Sequence, residues 1–302
     1  MLSKRMQKNL LITDSFTKQA RELRQYYDEQ FADPRDSHSK RFVWDYWHLP
    51  EQYTLLRTPA YHYFPNKMYM SFHKQLVMWA RQHLGCWDIS PPWLSCYVDG
   101  CKQELHSDVP HGPWAYVFSL TPSKPVFKGG ETLILKPETL SYWKNFSKTQ
   151  DRELGSIVDK VKPKFNRLIV FDPRSPHGVT EVRGTTDPRE GRLVIHGWFM
   201  NPKTYTDGFL PSRLTEKKLN QAFDQVSELI AGYEAVQGTV SLRMQVSANG
   251  SVRSAKFYTN TLITQNGDIP ADLNRRILSI YRNLEFVRAR GSTDITVPLI
   301  VQ

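Results

Sequence analysis

The sequence predicts an α+β protein: an antiparallel β-sandwich or barrel covered by N-terminal helices, followed by a small ββαβ domain. Three observations predict it. Helical periodicity dominates the residues before Trp93. Short apolar runs bounded by Gly, Pro or Asp then crowd the stretch from Trp93 to Phe199. After Gly238, strict alternation resumes around an Asn-Gly pair.

The first element, "SFTKQARELRQYYDEQF", reads as a helix capped by Asp14 or Ser15, with Phe16, Ala20, Leu23, Tyr27 and Phe31 on one face. A loop rich in turn formers and then in aromatics follows, and a second helix is expected from about Met68 to His83. The strands are "WLSCYV", "WAYVFSL", "ETLIL", "RLIVF" and "RLVIHGWF". Their close spacing, without long intervening helices, favours an antiparallel sheet. "PETLSYWKNFSKTQDRELGSIVDKVKP" reads as a polar insertion between strands.

"TEKKLNQAFDQVSELIAGYEAV" predicts a further helix with Leu219, Phe223, Val226 and Ile230 along one side. The expected domains are 1–205, with the helices and the sheet, a helical linker at 206–237, and a ββαβ module at 238–302. That module comprises a hairpin turned at Asn249-Gly250, a helix in "IPADLNRRILSIYRNL" and a closing strand in "STDITVPLIV".

The 302 residues are 40% hydrophobic and 12% aromatic, enough for a substantial core. No apolar run reaches the length that spans a bilayer. Lys4, Arg5 and Lys8 flank too short an apolar patch for a secretory signal, so a cytoplasmic protein with no membrane partner is expected. Cys86, Cys96 and Cys101 match no zinc-ligand spacing and read as reduced thiols. The net charge of +10 is spread without a dense basic block, which argues against nucleic acid as the partner.

The chemistry concentrates in "CKQELHSDVPHGPW". In His106-Ser107-Asp108 the outer side chains lie on one side of an extended backbone. Alone, the pair fits a metal site or an ordinary polar patch. Two imidazoles and one carboxylate on a triangular face are the ligand set of non-haem Fe(II) with open positions. His177, in "RLIVFDPRSPHGVTEV", supplies the third ligand if its strand lies alongside. A dicarboxylic keto acid chelating the metal needs a cation at its far end. Arg192, at the start of "RLVIHGWF", offers a bidentate fork.

From Trp93 to Phe199 the chain resembles the 2-oxoglutarate and Fe(II)-dependent oxygenases, in particular the prolyl-hydroxylase-like branch. The motifs are "CYVDGCKQELHSD", the Gly-Gly turn of "FKGGETLIL", His177, and Arg192 followed by Gly-Trp-Phe. The resemblance implies a double-stranded β-helix, a jelly roll. It implies Fe(II) held by His106, Asp108 and His177, 2-oxoglutarate on Arg192, and Tyr97 as a hydrogen-bond donor to that co-substrate. It further implies that O2 is consumed, succinate and CO2 are released, and a C–H bond of a small-molecule or peptide substrate is hydroxylated. Asp108 stands where halogenating branches carry a small residue. A second resemblance, over Gly238–Gln302, is to the C-terminal domain of TonB-like proteins. It implies contact with a protein partner or self-association.

Other residues carry two readings each. His111 and Trp114 could face substrate or serve the loop. His196 could touch the co-substrate or sit satisfied in the core. Glu104 reads as support for the metal ligands or as plain surface. Cys96 and Cys101 read as apolar filler, and the aromatic stretch Arg41–Tyr53 as packing or as a specificity segment. Two alternative functions stand beside oxygenation: a non-catalytic scaffold recruiting a partner through its C-terminal module, and dealkylation of nucleic acid by the same iron chemistry.

Overall fold

A computed structural model describes residues 9–33, 35, 44–108, 111–136 and 156–301. The chain divides into two compact units. One comprises the described residues within Leu10–Leu76 and Ile89–Met200, the other those within Met1–Asn9, Val77–Asp88 and Asn201–Gln302.

The elements up to residue 202 are β1 (Leu10–Asp14), α1 (Ala20–Gln30), β2 (Asp45–Leu49), β3 (Tyr53–Pro59), α2 (Ala60–Tyr63), α3 (Asn66–Leu84) and β4 (Cys86–Ile89). Then come β5 (Trp93–Tyr97), β6 (Lys102–His106), β7 (Trp114–Ser119), β8 (Thr132–Leu135), β9 (Val158–Val161), β10 (Arg167–Phe171), β11 (His177–Val179) and β12 (Arg192–Pro202). The hydrogen-bonded path runs β1-β10-β7-β12-β5-β3-β6-β11-β8-β9, with β2 alongside β3. All the pairings along this path are antiparallel.

Ala115 of β7 and Ile169 and Phe171 of β10 share a buried cluster with Ile134 of β8 and Val161 of β9, although these strands lie near opposite ends of the path. Apolar residues so far apart in a sheet meet only if it curls. The sheet is thus a curled antiparallel half-barrel of the jelly-roll kind, and its concave face holds the cavity described below.

Several sequence expectations change. The first helix begins at Ala20, because Leu10–Asp14 is a strand paired with β10. Asp14 accepts from Arg167 and Lys164 instead of capping a helix, and Ser15 takes a left-handed φ of 54° where the strand ends. Leu23 and Tyr27 still form the buried face. The polar insertion ends in β9, which pairs with β8; residues 137–155 of it lie outside the described residues.

The second unit contains β13 (Tyr205–Gly208), α4 (Ser212–Ala231), β14 (Gly238–Val246), β15 (Val252–Asn260), α5 (Ala271–Arg282) and β16 (Thr293–Val301). Its sheet runs β13-β16-β14-β15. Leu219, Ala222 and Val226 of α4 join Leu273, Ile277 and Tyr281 of α5 in one core with the sheet. Phe223, expected on the buried face of α4, is half exposed; Ala222 takes the inward place. At the Asn249-Gly250 turn, Gly250 has φ 92° and passes so close to the Phe286 carbonyl that a Cβ would lie 2.0 Å from it. No helix among the described residues is long and apolar enough to cross a membrane.

Candidate active site

β6 and β11 are antiparallel neighbours whose register sets His106 opposite His177. Their rings lie 4.4 Å apart between centroids. Asp108, just past the end of β6, is tied to the β10–β11 turn by its amide, which donates to the Pro173 carbonyl, and by Ser107 Oγ, which donates to that of Arg174. Arg174 in turn grips Asp172 at the end of β10. Ser107 therefore braces the turn that carries the third ligand.

The ligand atoms of His106, Asp108 and His177 all lie within 4.8 Å of one another. Asp108 Oδ1 is 3.5 Å from His106 Nε2, and Oδ2 is 3.4 Å from His177 Nε2. Ligands at about 2.1 Å from a metal in adjacent octahedral positions stand about 3 Å apart. The Nδ1 atoms donate to the carbonyls of Glu104 and Ser175, at 2.9 and 3.0 Å. In the neutral rings this leaves both Nε2 lone pairs facing the carboxylate. Three lone-pair donors turned toward one point repel unless a cation or proton lies among them, so the set fits a metal ion.

The same geometry shifts the protonation equilibria. Burial alone would raise the pKa of Asp108, but the two imidazoles hold it well below the usual carboxylate range. Burial alone would lower that of His106; the bonds to Asp108 and the Glu104 carbonyl outweigh it and raise the net value. The Tyr97 hydroxyl donates to Gln103 Oε1 at 3.4 Å, and Gln103 Nε2 lies 3.2 Å from His106 Nε2, beside the ligand triangle.

A cavity of about 710 Å³ opens from this triad and runs inside the half-barrel. Arg192 sits in its wall, 2% exposed, with its guanidinium carbon 4.6 Å from the Tyr97 ring centroid. One nitrogen donates to Thr132 Oγ1 at 3.2 Å, while Nε and Nη1 are buried without a partner. A buried cation without a counter-charge is costly. Burial pulls the pKa of Arg192 down, yet guanidinium keeps its proton. Gly129 and Gly130 make this arrangement possible. Both have positive φ, and a Cβ on Gly130 would lie 3.1 Å from Arg192 Cδ.

Residues 92–200 match the family model of the 2OG-Fe(II) oxygenase superfamily. This segment is that of a 2-oxoglutarate- and Fe(II)-dependent oxygenase. No curated protein matches the sequence. Solved structures similar to the chain include a prolyl hydroxylase from Trichoplax adhaerens, in complex with a hypoxia-inducible-factor peptide. It has 17% identity and a TM-score of 0.44, over 66% of this chain and 89% of that one. A Pseudomonas putida prolyl-4-hydroxylase has 16% identity and a TM-score of 0.40, over 64% and 92%. HygX from Streptomyces hygroscopicus, with nickel and 2-oxoglutarate bound, has 12% and 0.41, over 65% and 83%.

The oxygenase cavity also receives His196 and His111, whereas Trp114 is fully buried away from it. His196 Nε2 pairs with Ser95 Oγ at 2.8 Å; burial, then Arg192 and Arg57, push its pKa down to about 3. His111 packs against Trp198. The Glu104 side chain turns out to Lys102, and its support for the site comes through its backbone carbonyl. Cys96 and Cys101 are buried and unpaired. Of the aromatic stretch, Trp47 and Tyr53 reach the cavity.

Sequence reasoning missed Arg57, Gln103, Tyr116 and Thr132, all of which line the cavity. The signal for Arg57 was an arginine inside the otherwise apolar strand "YTLLRTP". Gln103, Tyr116 and Thr132 had no local mark, since only the sheet register turns them inward.

Proposed function

We propose that the chain is a dioxygenase that hydroxylates an unactivated C–H bond of an amino-acid-like, peptide or natural-product substrate, with release of succinate and CO2. One observation carries the reading. The triad His106, Asp108 and His177 and the unpaired buried guanidinium of Arg192 face one cavity. A metal chelated by a keto acid at one end and a carboxylate clamp at the other is the pairing that 2-oxoglutarate requires.

His106, Asp108 and His177 would hold Fe(II), which with 2-oxoglutarate supplies the activation of O2 for C–H oxidation. Ser175 and the Glu104 carbonyl fix the tautomers that present Nε2. Arg192 offers its unpartnered guanidinium hydrogens to the distal carboxylate, and Thr132, which accepts one hydrogen of Nη2, holds the group in place. Tyr97 keeps the guanidinium plane oriented and presents its hydroxyl to the co-substrate. Phe171, 4.7 Å from the His177 ring, and Val194 exclude water from the reacting face. His196, held neutral beside Ser95, brings no charge to compete with the co-substrate.

The second unit is proposed to act as a docking or dimerisation module, following its resemblance to TonB C-terminal domains; edge strands β13 and β15 support that reading. The three buried, unpaired cysteines support a reducing, cytoplasmic setting.

The experiment is succinate formation with Fe(II), 2-oxoglutarate and a substrate panel, comparing the unmodified protein with His106→Ala. Substrate-coupled succinate is expected only from the former. Equal coupled turnover in His106→Ala would sink the assignment.

A further inference from the structure

Arg57 enters the same cavity from β3. It pairs in register with Ser95, and Arg192 pairs with Tyr97, two residues along the same face of β5. The two positions are therefore about 7 Å apart along the strands and, with β5 between β3 and β12, about 10 Å apart across the sheet. The Arg57 guanidinium lies between the rings of Trp47 and Trp93, 3.8 Å from the latter. Its Nε is buried without a hydrogen-bond partner. Asp45, its register partner on β2, is exposed, and no hydrogen bond joins the two among the described residues.

Two indole rings pack against this guanidinium, and its unpartnered Nε–H is left to join a fork on a carboxylate. Charge balance points the same way. Fe(II) with the Asp108 carboxylate leaves one positive charge, and Arg192 adds another; the dianion 2-oxoglutarate neutralises both. Arg57 adds a third positive charge in a wall of Trp47, Trp93 and Tyr53, where Asp45 attracts it from outside the cavity without a hydrogen bond.

We propose that Arg57 is a specificity-determining residue that binds the free carboxylate of the primary substrate, with Trp47 and Trp93 flanking its body. The substrate is then a free amino acid, an N-acylated amino acid or the last residue of a chain, not an internal residue of a protein. This inference rests on the oxygenase reading above.

The test is anaerobic calorimetric titration of the full chain, loaded with Fe(II) and 2-oxoglutarate, with free and N-acetyl amino acids, each beside its primary amide. At least one acid is expected to bind about ten- to a hundredfold more tightly than its amide, the worth of a charge-assisted hydrogen-bond pair. Arg57→Met should erase that preference and Arg57→Lys should restore part of it. Thermal melting and the visible band of metal-chelated 2-oxoglutarate report that each variant is folded and loaded. Three outcomes overturn the proposal: amides bind as well as acids, no acid binds in an Arg57-dependent way, or Arg57→Met weakens 2-oxoglutarate instead of the acid. A wild-type protein without the visible band refutes the oxygenase reading itself, and the Arg57 assignment falls with it.

Discussion

Arg192 and Tyr97 are register partners across β12 and β5, and the guanidinium carbon stands 4.6 Å from the tyrosine ring centroid. The ring supports the plane of the cation while leaving Nε and Nη1 without partners. Arg192→Met should therefore separate binding from stability. Affinity for 2-oxoglutarate is expected to fall at least about a hundredfold, for two charge-assisted hydrogen bonds. The melting temperature of the co-substrate-free variant should hold or rise, because an uncompensated buried charge is removed. Titration with 2-oxoglutarate and thermal unfolding check the two halves.

Metal binding should depend on all three triad residues and not on the Glu104 side chain. His106→Ala, Asp108→Ala and His177→Ala are each expected to lose Fe(II) uptake. Glu104→Ala should keep it, since His106 Nδ1 bonds the backbone carbonyl of that residue. Metal analysis after desalting distinguishes these cases.

Gly130→Ala should injure the co-substrate site through the backbone. The position has φ 73°, and the added Cβ would press on Arg192 Cδ and on Phe127. A loss of about 1–3 kcal/mol in stability is expected, together with a raised KM for 2-oxoglutarate. A variant with unchanged melting and unchanged KM would contradict this account of the Gly-Gly turn.

His196 should remain neutral across the physiological range. Its folded pKa, about 3, lies below that of an unfolded histidine, about 6.5. Its contribution to stability is then complete above the unfolded value. It is lost as pH falls from there toward about 3, because the unfolded chain takes up a proton that the folded chain refuses. The cost approaches at most about 1.4 kcal/mol per pH unit. Imidazole NMR should show no titration of His196 between pH 5 and 8, and His196→Gln should flatten the acid limb of the stability curve.

Much of the oxygenase unit was legible in the sequence because its chemistry is carried by residue types with few other uses. A histidine and an aspartate two apart, a distant histidine after a proline turn, and an arginine opening an apolar strand narrow the possibilities sharply. The strands β5, β7, β8, β10 and β12 announced themselves by apolar runs between turn residues. β1, β2, β3, β9 and β11 did not. Each forms where a neighbouring strand satisfies its backbone, as when β10 pairs with Leu10–Asp14.

The sequence by itself determined which side chains can hold a divalent metal and a dicarboxylate, and in what order along the chain they come. Only the tertiary structure decided that His106 faces His177, and that Arg192 is buried with two donors unanswered. It alone also set Arg57 between Trp47 and Trp93 on the same cavity wall. The reason is physical. Ligand identity is a property of single residues, whereas register and curl depend on pairing between strands far apart in sequence. One residue of slip would turn each of these side chains to the opposite face.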